Sequence, residues 1–169
     1  MNNKYLRVRS GAYLTNSYYI FNDDCDVLII DPACSFEKSE TILQGCVPTH
    51  ILLTHGHFDH TYDCDLFIKR YGAKLYIHKD DLIYLSDSRY NSPDGIPNGY
   101  TEKIFKADYT LTDQDEIKFG NDVFTIIHTP GHTPGSCCFY AEGVLFSGDT
   151  LGPISRMVAM KSKCLLLSG

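Results

Sequence analysis

Seven consecutive residues, Thr54-His55-Gly56-His57-Phe58-Asp59-His60, place three imidazoles and a carboxylate within six positions, directly after a short apolar run. Imidazole nitrogen and carboxylate oxygen are ligands for zinc and similar divalent cations. Gly56 lets the backbone bend tightly, so that alternate side chains converge. Four candidate donors exceed what one cation with an open coordination position needs, and the spacing therefore points to two adjacent metals sharing the loop. The competing reading is of surface histidines near a helix start, with Asp59 as the N-cap. A single histidine would favour that reading; three with an aspartate in so short a span weigh against it.

A local cluster is incomplete as a site, and two further segments supply partners. Residues 128–136 (HTPGHTPGS) put His132 on a Gly/Pro turn after a β-rich stretch, and residues 147–150 (SGDT) put Asp149 on a glycine turn after another. Gly-Asp alone is only a turn signal. What raises both residues is that all three loops follow the carboxyl end of a strand, where open α/β sheets present ligands and catalysts. His50, His78 and His128 flank apolar strands and read as structural or supporting groups rather than direct ligands. Cys137 and Cys138 fall inside a strand with no evident base and read as packing.

The elements that must hold these loops follow from pattern. Residues 12–21 are aromatic and β-branched and predict a strand. A strand is also predicted for 26–30, ending in Asp31-Pro32, for 51–53 and for 74–78. Helices are predicted over 36–44, stopped by Gly45, and over 61–71, stopped by Gly72. Four β-rich segments follow at 116–120, 122–128, 136–141 and 143–147. Between them, residues 86–101 (SDSRYNSPDGIPNGYT) predict a loop, which with Tyr90, Asn98 and Tyr100 either covers a substrate or is an exposed insertion. Helices alternate with strands early and strands dominate late, so a mixed α/β sandwich fits. No G-x-G-x-x-G follows a strand, which disfavours a doubly wound nucleotide fold.

Composition narrows the function classes. With 169 residues, 43% hydrophobic and 21% charged, the chain is neither a disordered tail, a collagen-like repeat nor a coiled coil. Its net charge of −6 makes it a poor general binder of nucleic acid or of anionic membrane, so neither is expected as a partner. No apolar run approaches the roughly 20 residues that span a bilayer. The N-terminus lacks the apolar stretch of a secretory signal, and a cytoplasmic location is the expectation. Seven cysteines, an odd number without C-x-x-C spacing, predict reduced thiols rather than a disulfide framework.

The combination H-x-H-x-D-H, T-P-G-H-T-P-G-S and S-G-D-T, in this order, resembles the metallo-β-lactamase superfamily, closest to its hydroxyacylglutathione hydrolase (glyoxalase II-like) branch. The resemblance implies an αββα four-layer sandwich with the metal site at one edge. It implies that His55, His57 and His132 bind a first metal, that Asp59 and His60 bind a second, and that Asp149 bridges both. It matches Asp31 to an aspartate that supports the metal loop through hydrogen bonds; a turn-forming aspartate after a strand is the equal alternative. The implied cofactor is Zn2+ in two sites, and the implied activity is cleavage of a small-molecule thioester or ester, acyl-glutathione-like, by attack of a metal-bound hydroxide, with Asp59 orienting the nucleophile. The motifs say nothing of oligomeric state.

The sequence departs from the family at its end. The family supplies one more histidine well downstream of the bridging aspartate, and no histidine follows His132 here. The second metal would lack a ligand, and the second half of the sandwich would be incomplete. The expectation is therefore an incomplete metallo-β-lactamase-like domain over 1–151 and an atypical tail over 152–169, from truncation or from a frame shift after Thr150-Leu151. Read out of frame, the Met157-Val158 and Met160-Lys161 codons give a residue of the Asp/Asn/His/Tyr set followed by Gly, then another of that set followed by Glu, a pattern that accommodates the Asp-Gly-x-Asn-Glu-like stretch of relatives. Two alternatives accompany the hydrolase reading. One is an iron-dependent persulfide dioxygenase with Fe2+ held by His55, His132 and Asp149; the other is an inactive fragment that at most binds metal. A flavin-linked di-iron role is disfavoured, because H-x-E-x-D is absent. A β-lactam substrate is disfavoured by T-P-G-H-T-P-G-S.

Overall fold

A computed structural model describes residues 4–10, 13–91 and 103–151. The expectations about Asn98, Tyr100 and the tail 152–169 lie outside the described residues.

Alternation of side chains along the early strands builds the centre of the molecule. Strands β1 (Lys4–Ser10), β2 (Thr15–Phe21), β3 (Asp26–Ile30), β4 (Val47–Leu52), β5 (Lys74–His78) and β6 (Tyr109–Leu111) form one sheet in that order. The first three pair antiparallel, and β3 through β6 pair parallel. Tyr18, Ile20, Leu28, Ile30 and Leu52 point to one face, whereas Tyr19, Val27, Ile29, Ile51, Leu75 and Ile77 point to the other. Both faces are therefore buried, which is why these strands read as nearly continuous apolar runs.

Each face has its own cover. Helices α1 (Phe36–Leu43) and α3 (Cys64–Tyr71) pack Leu43 and Phe67 against the odd-parity face. A second sheet, β7 (Glu116–Phe119), β8 (Asp122–His128), β9 (Cys137–Ala141) and β10 (Val144–Phe146), is antiparallel in the order β10-β9-β8-β7. It packs Ile117, Phe119, Phe124, Ile126, Phe139 and Phe146 onto the other face. Each such fully buried side chain stabilises the fold by about 1.5–3 kcal/mol. Among the described residues this gives a layer of helices and two layers of sheet, and Val123 and Tyr140 on the second sheet remain exposed.

The architecture is the expected mixed α/β sandwich, with local differences. The helix predicted over 61–71 is two, the short α2 (Phe58–Thr61) and α3, interrupted at Tyr62 and Asp63. Strand β1 had no apolar signal, because Lys4, Arg7 and Arg9 sit on a largely exposed edge. The predicted 86–101 loop begins with a helical turn, α4 (Ser88–Asn91), that carries the exposed Tyr90.

The expectation of wholly reduced cysteines is corrected: Cys25 and Cys46 form a disulfide. They lie 21 residues apart, beyond any local spacing rule. Parallel pairing of β3 with β4 sets Asp26 opposite Val47, and so brings together the two cysteines that precede them. Cys34, Cys64, Cys137 and Cys138 are free and buried, as packing residues would be. Peptide mapping without reductant is expected to recover a Cys25–Cys46 cross-link. Reduction should remove about 3 kcal/mol of stability, the loop-closure value for this span, and lower Tm by roughly 6–12 °C. Full alkylation of both cysteines in the unreduced, denatured chain would contradict the pairing.

Candidate metal centre

Five strand ends meet at one edge of the sandwich. Parallel β3, β4 and β5 run out there into Asp31, the 54–60 turn and a 3-10 helix over Lys79–Leu85, while β8 and β10 of the second sheet run out into the 129–136 loop and a 3-10 turn over Gly148–Leu151. The backbone of the two sheets is joined at this edge, where Cys137 N–H donates to Thr54 O at 2.9 Å. Thr129 Oγ1 and Thr150 Oγ1, 2.8 Å apart, tie the loop that carries His132 to the turn that carries Asp149.

Asp31 anchors the 54–60 turn. The residue is buried and adopts a left-handed backbone (φ 51), a conformation strained for a residue with a side chain. Its Oδ1 accepts from Thr54 N–H at 2.8 Å, and its Oδ2 accepts from Thr54 Oγ1 at 2.7 Å and from His60 Nδ1 at 2.9 Å. The turn-only alternative for Asp31 therefore misses its contacts. Having given its proton to Asp31, the Thr54 hydroxyl is an acceptor for His55 Nδ1 at 3.2 Å. These bonds fix the tautomers: His55 and His60 each carry a hydrogen on Nδ1 and turn Nε2 inward.

The inward atoms crowd together. His55 Nε2 lies 3.0 Å from His57 Nδ1, which lies 2.9 Å from His132 Nε2. Nitrogens about 2.0–2.1 Å from one tetrahedral cation sit roughly 3.3 Å from each other, so the spacing fits a shared ion. Among the described residues His60 Nε2 is buried with no hydrogen-bond partner; Asp149 Oδ1 is 3.4 Å from it and Asp59 Oδ2 3.6 Å. Asp149 Oδ2 is also 3.6 Å from His132 Nε2, so one carboxylate reaches toward both groups. The sets whose donor atoms all fall within 4.8 Å of one another are His55–His57–His132 and His55–His60–Asp149. Asp59 stands beside the second set, its Oδ2 held by Thr15 Oγ1 at 2.5 Å. All six singled-out residues are thus brought to one place, with His55 rather than Asp59 completing the second tight set. An orphaned buried imidazole nitrogen beside two carboxylates fits a divalent cation.

Some details differ from expectation. The N-cap of α2 is His57, not Asp59, so the capping role fails. Gly56 is needed for space rather than for a special bend: a side-chain carbon there would stand 2.2 Å from Tyr84 Cβ. Thr15 and Thr54 were not anticipated; each carries an ordinary strand-edge hydroxyl, and only the fold places it on Asp59 or Asp31. His78 and His128 stack at 4.0 Å with planes 14° apart, and with Asp80 they form a third donor cluster. His128 Nε2 already donates to Pro134 O at 2.9 Å, and near-parallel rings keep their in-plane lone pairs from meeting at one point.

Burial and neighbours set the protonation states. Burial, with His60, His57 and His132 adding to it, holds the pKa of His55 well below the ordinary imidazole value. Burial also lowers that of His57, together with His132. Burial opposes charge on His60 too, but Asp31, Asp149 and Asp59 outweigh it and lift its pKa to about 10. The His60 ring, its Nε2 3.4 Å from Oδ1, outweighs the cost of burial and holds Asp149 below the usual carboxylate range.

The comparisons with known proteins agree with this geometry. The metallo-beta-lactamase superfamily pattern matches residues 10–161. The probable metallo-hydrolase YqgX of Bacillus subtilis (strain 168) is 31% identical over 159 residues, covering 90% of this chain and 74% of YqgX. A hydroxyacylglutathione hydrolase of Photorhabdus laumondii subsp. laumondii is 32% identical over 136 residues, covering 79% of this chain but only 46% of that enzyme. The crystal structure of the BLEG-1 B3 metallo-beta-lactamase superposes with a TM-score of 0.78 at 34% identity, covering 86% of this chain and 72% of that one.

The charge state of His60 has a measurable sign. In the metal-free chain its raised pKa contributes stability that is fully present below the ordinary value of 6.5 and is lost as pH rises through about 10. A cation on Nε2 must displace that proton, so zinc affinity should rise across the same window. Zinc titration calorimetry at pH 8, in buffers of different ionisation enthalpy, is expected to report release of about one proton from this group. Heats independent of buffer would contradict it.

Proposed function

Because the chain belongs to the metallo-beta-lactamase superfamily, we propose that it is a metal-dependent hydrolase of small-molecule thioesters or esters, with acyl-glutathione-like compounds as the substrate class. The observation that carries the reading is the meeting of donors from three separate loops around His60 Nε2, a buried atom with no hydrogen-bond partner among the described residues. His55, His57 and His132 are the residues to hold one cation, and His60, Asp149 and Asp59 are placed to hold a second. Divalent cations bound there supply Lewis acidity, polarising a carbonyl and making water acidic enough to yield its proton near neutral pH.

The remaining work falls to the chain. Low pKa values keep His55 and His57 neutral at physiological pH, so their lone pairs stay available. Asp31 and Thr54 hold the rings of His60 and His55 in register through their Nδ1 atoms. Thr15 fixes Asp59 with a hydrogen bond to Oδ2, and the role proposed for the Asp59 carboxylate is to orient an attacking water and accept its proton. No protein nucleophile is required. Cys137, the thiol nearest the turn, is buried and its pKa is pushed well up by that burial, so it is a poor thiolate.

The thioester preference is supported by the T-P-G-H-T-P-G-S motif and by likeness to the Photorhabdus enzyme. A second reading, β-lactam hydrolysis, is favoured by the likeness to BLEG-1. One assay separates them: the zinc-loaded chain with S-lactoylglutathione, an aryl ester and a chromogenic cephalosporin. Thioester or ester turnover is expected, abolished by chelator and restored by zinc, with Asp149→Asn lowering kcat by about 100-fold or more. Cleavage of the cephalosporin alone would transfer the assignment to β-lactams. Near-stoichiometric iron with oxygen uptake on a persulfide would replace hydrolysis by dioxygenation, and a folded, metal-replete chain inert toward all substrates would remove the enzymatic reading.

A further inference from the structure

One buried carboxylate lies outside every donor set and yet touches both histidine-bearing loops. Asp81 sits on the 3-10 helix Lys79–Leu85 and is wholly buried. Its Oδ2 accepts from Gly56 N–H at 3.0 Å and from Thr133 Oγ1 at 2.7 Å, and its Oδ1 accepts from Gly135 N–H at 2.7 Å. Gly56 lies between His55 and His57, and Thr133 follows His132. A single side chain therefore spans the gap between the loop that carries His55 and His57 and the loop that carries His132.

The surroundings leave this carboxylate one arrangement. A side-chain carbon on Gly135 would stand 2.7 Å from Asp81 Cγ, so the 129–136 backbone lies directly against it. Thr133 Oγ1 gives its proton to Asp81 and so accepts from Ser136 Oγ at 2.8 Å, while Ser136 Oγ accepts from Thr133 N–H at 2.9 Å. Every donor in the chain Ser136–Thr133–Asp81 then has an acceptor, and bonds to a buried anion are the strong kind. Gly56, Thr133 and Gly135 all lie in loops, outside the strands, and these loops bound the imidazole cluster.

We propose that Asp81 is a positioning residue for the metal centre: its carboxylate clamps the 54–60 and 129–136 loops and sets the distance between the His55/His57 pair and His132. The proposal rests on the metal-centre reading above. An asparagine at this position keeps the shape but turns one acceptor into a donor facing a donor, so one loop must shift while the other stays.

Cobalt(II) titration of the full chain, followed by its visible absorption band, tests this without reference to any substrate. Asp81→Asn is expected to weaken cobalt binding by about 10- to 100-fold, the range for groups that orient metal ligands, to alter the band, and to lower kcat more than KM where turnover is measured. Ser39→Ala, which removes a buried hydroxyl bonded to Tyr19 and to no residue of the donor sets, should leave affinity and band unchanged. If Asp81→Asn shows no cooperative melt, Thr133→Val decides: it removes one of the three bonds and should weaken cobalt in the same direction by less. A folded Asp81→Asn, or in its absence Thr133→Val, with wild-type affinity and band would overturn the proposal, as would equal weakening by Ser39→Ala. A wild-type chain that binds cobalt normally and hydrolyses no thioester would remove the substrate assignment and leave this one standing.

Discussion

The arrangement at the edge of the sandwich depends on the Asp31 carboxylate. It sits where β3 ends, in a strained left-handed conformation, and accepts three hydrogen bonds from the turn that follows β4. Parallel pairing of β3 with β4 delivers Thr54 to it. The hydrogen bonds then pass orientation outward: to the His60 ring directly, and to the His55 ring through the Thr54 hydroxyl. A backbone conformation that costs of order 1–3 kcal/mol persists only where the surroundings over-determine it. Two buried sheet faces and three accepted bonds do so here.

What results is a polar cluster that is not satisfied by itself. Imidazole nitrogens approach within 3.0 Å of each other, and the buried His60 Nε2 has no hydrogen-bond partner among the described residues. Buried polar groups without partners are costly, and their presence in a folded chain points to an occupant or a function. The charges are matched to that end. Burial keeps His55 neutral, whereas His60 carries a proton against its burial because carboxylates surround it. The same carboxylates would attract a cation of higher charge, which in the proposed reading takes the place of that proton.

Much of this was legible in the sequence, for reasons that can be named. The 55–60 cluster is local, and its composition alone is diagnostic. His132 and Asp149 were legible because each sits on a glycine turn at the end of an apolar strand. The strands of the large sheet announced themselves as apolar runs, since both faces are covered. Other features depend on tertiary approach and left no local mark. Asp81 stands in Lys79-Asp80-Asp81, which reads as the solvated first turn of a helix, and it is buried only because Gly56 and Gly135 come to it. Cys25 and Cys46 are neighbours through strand pairing rather than spacing. Strand β1 is held by its pairing with β2 and carries Lys4, Arg7 and Arg9 rather than an apolar run.

In the proposed centre, three loops gather their donors around a pair of cations. Anomalous diffraction at the zinc edge, from crystals of the zinc-loaded chain, locates those ions. One peak is expected bonded to ring nitrogens of His55, His57 and His132 at about 2.0–2.1 Å, and a second beside His60 Nε2 and Asp149. Zinc bound instead at the His78–His128 pair, with no density between His57 and His132, would contradict it.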